Sequence, residues 1–170
     1  MEPERTIITV RATIYAPVEK VWNLWTDPKH IIHWNSASDD WHTIKAENDL
    51  RVGGRFLSRM EAKDASSGFD FTGIYSKVEQ HKQIEYTIDG GRNVQVLFVP
   101  GGNVTTIMEA FEAEQTNPEE MQQAGWQAIL DNFKEYVEVS MKQKAMHFEV
   151  TINANAEKVY QVMLDYEKFK

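Results

Sequence analysis

The chain has 170 residues, 42% hydrophobic and 26% charged, the make-up of one globular domain or of one domain plus a fragment. A formal charge of −8 with no Lys or Arg run argues against a basic stripe, so no nucleic-acid partner is expected. The absence of cysteine excludes disulfides, thiol nucleophiles and cysteine-ligated metal centres. No segment approaches the ~20 apolar residues of a membrane span, and the acidic start Met1-Glu2-Pro3-Glu4 is unlike a signal peptide; a cytoplasmic location without membrane contact is expected.

Thr6 to Tyr15 alternates, with Ile8, Val10, Ala12 and Ile14 on one face, and predicts a strand. Pro17 suits a first helical turn, and Val18, Val21, Trp22 and Trp25 form one apolar helical stripe behind it. Asp27-Pro28 supplies an N-cap and a helix-starting proline for a second short helix ending near Trp34.

From Trp41 to Phe111, Gly-rich turn signals separate β-rich runs. Strands are expected over Asp40–Ala46, Arg55–Ala62, Phe69–Val78, Gln83–Ile88, Val94–Val99 and Val104–Glu112. A long helix follows. Asn117 is read as its N-cap, Pro118 as its first position and Glu120 as the capping-box partner, with Trp126, Ile129, Leu130, Phe133 and Val137 along one stripe. The expected fold is α+β: a curved seven-stranded antiparallel sheet wrapped around a long C-terminal helix, with two short helices after strand 1.

The stretch Thr13 to Trp22 returns as Thr151 to Tyr160, with Asp27 and Asp165 in the same register. Residues 1–138 are therefore read as one complete domain. Residues 139–170 are read as a linker plus the first strand and helix of a truncated second copy, a gene remnant or a piece of a tandem protein, with an ordinary C-terminal extension of chance similarity as the competing reading. An unpaired strand–helix unit needs a surface to pack on. Docking on its own domain, or a homodimer formed through this segment, is expected.

The run Ala16-Pro17-x-x-Lys20-Val21-Trp22, Trp34, Asp49-Leu50-Arg51-Val52-Gly53-Gly54-Arg55-Phe56, Gly73-x-Tyr75 and Gly125-Trp126 with Phe133 resembles the helix-grip, START-like (SRPBCC) superfamily. Within it the chain resembles the group named after the activator of heat-shock protein 90 ATPase, over residues 6–138. The resemblance implies a hydrophobic cavity between sheet and helix, holding a lipid, a polyketide or an aromatic compound in many members. Some members are cyclases or aromatases, and the eponymous activator binds a chaperone.

Strand parity and the helical stripe place an apolar cavity among Phe56, Met60, Phe71, Tyr75, Tyr86, Phe98, Trp126, Ile129 and Phe133. Gly73 and Gly125 are expected to leave room in it; a filled core without a void is the competing reading. Trp34 and Trp41 bracket a polar and aromatic cluster expected at the rim. Asp39 and Asp40, as adjacent strand residues, point apart and cannot share a proton. Glu109 lies on a strand whose two faces are equally apolar, so its inward or outward direction stays open; inward, it is a ligand-binding or proton-transfer group.

His30 and His33 lie three apart with Asp27 a turn earlier, but no third distant ligand supports a metal. No nucleophile elbow, P-loop or dinucleotide fingerprint appears, so no cofactor is expected. The expected function is binding of a small hydrophobic molecule. The alternatives are a cyclase- or dehydratase-like enzyme using Tyr75, Tyr86 or Glu109, and a chaperone-associated protein-binding module. No convergent titratable constellation is visible in the sequence, which favours a carrier.

Overall fold

Alternation of apolar and polar residues gives strand β1 (Ile7–Ile14), whose even-numbered side chains are buried and odd-numbered ones exposed. A computed structural model describes residues 5–88 and 90–145. Helices α1 (Val18–Thr26) and α2 (Pro28–Trp34) follow, then strands β2 (Trp41–Asn48), β3 (Arg55–Ala62), β4 (Gly68–Glu79), β5 (Gln83–Ile88), β6 (Arg92–Pro100) and β7 (Thr105–Glu112), and finally helix α3 (Glu119–Ala145). The apparent second copy, and any dimer built on it, lie outside the described residues.

The seven strands form one sheet in the order β1-β7-β6-β5-β4-β3-β2, antiparallel at every step. Irregularities between Thr43 and Lys45 and between Tyr75 and Lys77 interrupt the register. Extra residues at such points bend a strand and increase its twist, so the sheet curls into a half-barrel. α3 lies in the concavity.

The helices between β1 and β2 carry the chain from one edge of the sheet to the other. The Asp27 carboxylate accepts from the Lys29 amide at 2.9 Å and caps α2, as its position before Pro28 predicts. Trp34 at the end of α2 donates its indole N–H to Leu24 O at 3.2 Å, and Asn48 donates to Thr26 O at 2.7 Å. The first bond ties α2 to α1, and the second fastens the pair to β2.

At the start of α3 the predicted cap is replaced by another arrangement. Asn117 donates its amide to Glu114, while Gln122 accepts from Glu114 N and donates to the carbonyls of Glu114 and Asn117. The buried Gln122 amide thus satisfies the loop from inside the helix, so the Asn117 side chain is not the N-cap expected from sequence. Glu114 accepts from Thr116 N and Asn117 N as well, and these bonds hold its carboxyl down at about 2.

α3 is pinned to the edge strand β1. Gln127 accepts from Arg11 N at 3.2 Å and donates to Arg11 O at 3.1 Å; Gln123 donates to Thr9 O, and Glu138 accepts from Tyr15 N. The fully buried Leu130, Phe133 and Val137 of α3 meet Ile14, Val21, Val96 and Ile107 in the main core. Burying an apolar side chain of this kind stabilises by about 1.5–3 kcal/mol.

Candidate functional site

The interior divides along α3. Around its middle, aromatic rings close the space completely. Trp25 and Trp34 stack at 5.1 Å, and Phe133 meets both edge-on at 4.9 and 4.8 Å. Phe98 packs on Trp22 and Trp25 at 5.1 and 5.8 Å. Phe98 and Phe133 are 3% and 0% exposed and are not part of the cavity wall. Their faces agree with the sequence reading, but their positions along β6 and α3 put them in the plug that ends the hollow.

Beyond that plug the curled sheet and the N-terminal half of α3 stand apart, leaving a half-open cavity of about 520 Å³. Trp34, Trp41, Phe56, Met60, Phe71, Tyr75, Tyr86, Glu109, Trp126 and Ile129 all line it. The sequence reading passed over Trp25 as a wall residue, and also Ile31, Ser58, Phe69 and Arg92. Arg92 shares strand parity with the inward Val94, Val96 and Phe98, a signal that was present in the sequence.

Phe56 organises one wall. Its ring contacts those of Phe71, Tyr75 and Tyr86 at centroid distances of 5.6, 5.5 and 5.0 Å. It lies so close over Gly73 that a Cβ there would come within 2.5 Å of the ring. Gly73 therefore makes room for Phe56 and not for a ligand, which corrects the sequence expectation. Gly125 fits it differently: it borders the cavity, and a Cβ built on it meets nothing within 4 Å.

The polar groups are few and deep. Tyr75 donates to Asn48 Oδ1 at 2.7 Å, which ties the phenol to the residue that also holds Thr26 O. Tyr86 donates to Glu109 Oε1 at 3.3 Å. Glu109 is 5% exposed and faces inward, because pairing of Val96 with Glu109 sets that parity of β7 toward the core. Burial pushes its carboxyl up to about 8, against a smaller opposite effect of the Tyr86 hydroxyl. Burial also raises both phenols, and for Tyr86 the neighbouring Glu109 adds to the rise.

Near the mouth, Trp41 meets Phe69 at 5.8 Å, and Asn35 donates to Ser58 Oγ and accepts from the Thr43 hydroxyl through its carbonyl. Asp40 accepts from Ser38 Oγ at 2.6 Å in an exposed turn, which lowers its carboxyl; neither Asp39 nor Asp40 reaches the cavity wall. His30 hydrogen-bonds through Nδ1 to the Tyr136 hydroxyl at 2.7 Å, and His33 stacks on the same ring. Among the described residues no three His, Asp or Glu side chains gather as metal ligands, and no helix is long and apolar enough to cross a membrane.

The family model described as Activator of Hsp90 ATPase homolog 1-like protein matches residues 15–138. An AHSA1-like protein from Aeromonas hydrophila, solved by solution NMR, is 44% identical over 86% of this chain and 100% of its own, with a TM-score of 0.76. A protein from Cytophaga hutchinsonii, Chr148, is 48% identical over 85% of this chain and 98% of its own, with a TM-score of 0.68. A crystal structure from Chromobacterium violaceum, CV1439, shares the fold at 24% identity, with a TM-score of 0.71 over 78% of this chain and 98% of its own. No curated protein matches the chain. A curled seven-stranded sheet gripping a long C-terminal helix, matched in sequence over most of its length, places the chain in the Activator of Hsp90 ATPase homolog 1-like family, with the SRPBCC helix-grip fold.

Proposed function

We propose that the protein binds a small, mainly apolar molecule between its sheet and the N-terminal half of α3. One observation carries this reading: a half-open hollow of about 520 Å³ walled by four tryptophans, three phenylalanines and two tyrosines. Close-packed interiors leave few voids larger than a water molecule, so a space of this size and lining is a site and not a packing defect. Ligand sites of this kind are apolar with a few fixed polar groups, and Glu109, Tyr86 and Tyr75 supply those here. The fold family's habit of holding hydrophobic compounds in the same place supports the reading.

Mass spectrometry of compounds released from the purified intact protein tests it directly. A reproducible apolar compound, lost in a Gly125→Trp variant that keeps its fold, is the expected result. A Gly125→Trp protein that retains the compound overturns the assignment to this cavity.

A second reading is favoured by Glu109 alone. A buried carboxyl raised to about 8 is matched to proton transfer near neutral pH. On that reading the bound molecule is also a substrate, and it requires turnover that disappears in Glu109→Gln.

A further inference from the structure

Most of the polar hydrogens around the hollow are already engaged. Both phenol protons are committed, that of Tyr75 to Asn48 and that of Tyr86 to Glu109 Oε1. The Trp34 indole N–H is held by Leu24 O, and the Gln122 amide is spent on the carbonyls of Glu114 and Asn117. Glu109 Oε2 differs: it has no hydrogen-bond partner among the described residues, on a side chain nine-tenths buried that lines the cavity.

We propose that the cavity selects apolar molecules carrying an oxygen acceptor, which receives a hydrogen bond from the carboxylic acid of Glu109. This rests on the ligand-binding reading above and adds the chemistry that the ligand presents. With Oε1 accepting from Tyr86, the acid proton sits on Oε2 and points at the hollow. Burial keeps that proton in place at neutral pH, since the carboxyl is pushed up to about 8.

The other ionisable groups on the wall agree. Tyr75 and Tyr86 are both raised, so they stay neutral. Glu47 is engaged by Lys45 at 2.6 Å. Arg92 donates to Glu112 O at 3.4 Å and makes no ion pair among the described residues, so it adds positive charge to the wall. A cationic ligand would meet that guanidinium and would have to ionise Glu109 in an apolar setting. A pure hydrocarbon would leave the acid proton without an acceptor, a loss that costs affinity when a buried polar group goes unpaired. A ligand oxygen satisfies it.

The test uses three naphthalenes of nearly equal shape: acetylnaphthalene, isopropylnaphthalene and naphthylethylamine. Each is titrated into the intact protein and followed by shifts of the tryptophan indole N–H signals. At pH 6.5 the ketone is expected to bind about fivefold to tenfold tighter than either of the others. At pH 9, where the acid proton has left, that preference is expected to vanish in the wild type. It is expected to persist in Glu109→Gln, whose amide N–H does not titrate, and to be absent at both pH values in Glu109→Leu. Equal binding of all three overturns this inference and leaves the ligand-binding reading standing, and so does a ketone preference that survives in Glu109→Leu. Tighter binding of the amine overturns it in favour of an ionised Glu109. Failure of all three to bind overturns the ligand-binding reading and this inference with it.

Discussion

The indole of Trp126 lies flat on the ring of Phe111, centroids 4.0 Å apart and planes 14° from parallel. Phe111 is 1% exposed in β7, whereas Trp126 is only partly covered and turns its other surroundings to the cavity and to the edge of Phe71 at 6.2 Å. One aromatic pair therefore fastens α3 to the sheet and roofs the binding space. An aromatic pair of this type contributes about 0.5–1.5 kcal/mol beyond burial.

Phe133 and Trp126 should separate on substitution. Phe133→Ala empties a fully buried position and is expected to cost about 3–5 kcal/mol. Trp126→Ala opens onto space that is already hollow, so its cost should be clearly smaller while ligand affinity falls more. Urea unfolding with parallel binding titrations decides this, and equal stability losses would contradict the division of the interior into plug and hollow.

Glycines 73 and 125 should respond oppositely to one added methyl group. Gly73→Ala drives a Cβ into the Phe56 ring and is expected to destabilise by about 1–3 kcal/mol. Gly125→Ala adds a carbon where nothing lies within 4 Å and is expected to stabilise α3 by up to about 1 kcal/mol. Thermal melts of the two variants suffice, and a stable Gly73→Ala protein would contradict the packing of Phe56.

Stability should fall with rising pH on account of Glu109. Its carboxyl is raised in the folded state, from the ordinary 4.5 to about 8. The protein therefore holds its proton where the unfolded chain releases it, and the contribution is greatest below pH 4.5 and lost progressively up to pH 8. The size is roughly 3 kcal/mol between pH 4.5 and pH 7. Glu112 and Glu114 are lowered and act in the opposite direction only in stronger acid. The informative quantity is thus the difference between wild type and Glu109→Gln, which should grow in favour of the variant from pH 5 to pH 8; a flat difference would contradict the burial of this acid.

Asp27→Ala should loosen the mouth as well as the helix. Its carboxylate caps the short α2, and loss of such a cap costs about 1 kcal/mol. Because α2 ends in Trp34, a wall residue, a drop in ligand affinity is expected beside the drop in melting temperature.

Most of the architecture was legible because periodicity reports which face of an element is apolar. The alternation of β1, the glycine turns between strands and the stripe of α3 gave the element order and the helix-gripping arrangement. What periodicity does not report is depth along an element. Phe98 and Phe133 have the inward face predicted for them but sit at the closed end of the half-barrel. Glu109 shows the complementary limit: with both faces of β7 apolar, only cross-strand pairing to Val96 decides its direction. Arg92 was missed because an arginine is ordinarily a surface residue, although its parity pointed inward. The Asn117 cap failed because Gln122, five residues on, satisfies the same loop from another direction.

The glutamine clamp on Arg11 also decides where this sheet can grow. With both main-chain groups of Arg11 taken by Gln127, and Thr9 O taken by Gln123, an incoming strand finds the β1 margin occupied. That margin is thereby closed to strand addition by a foreign segment.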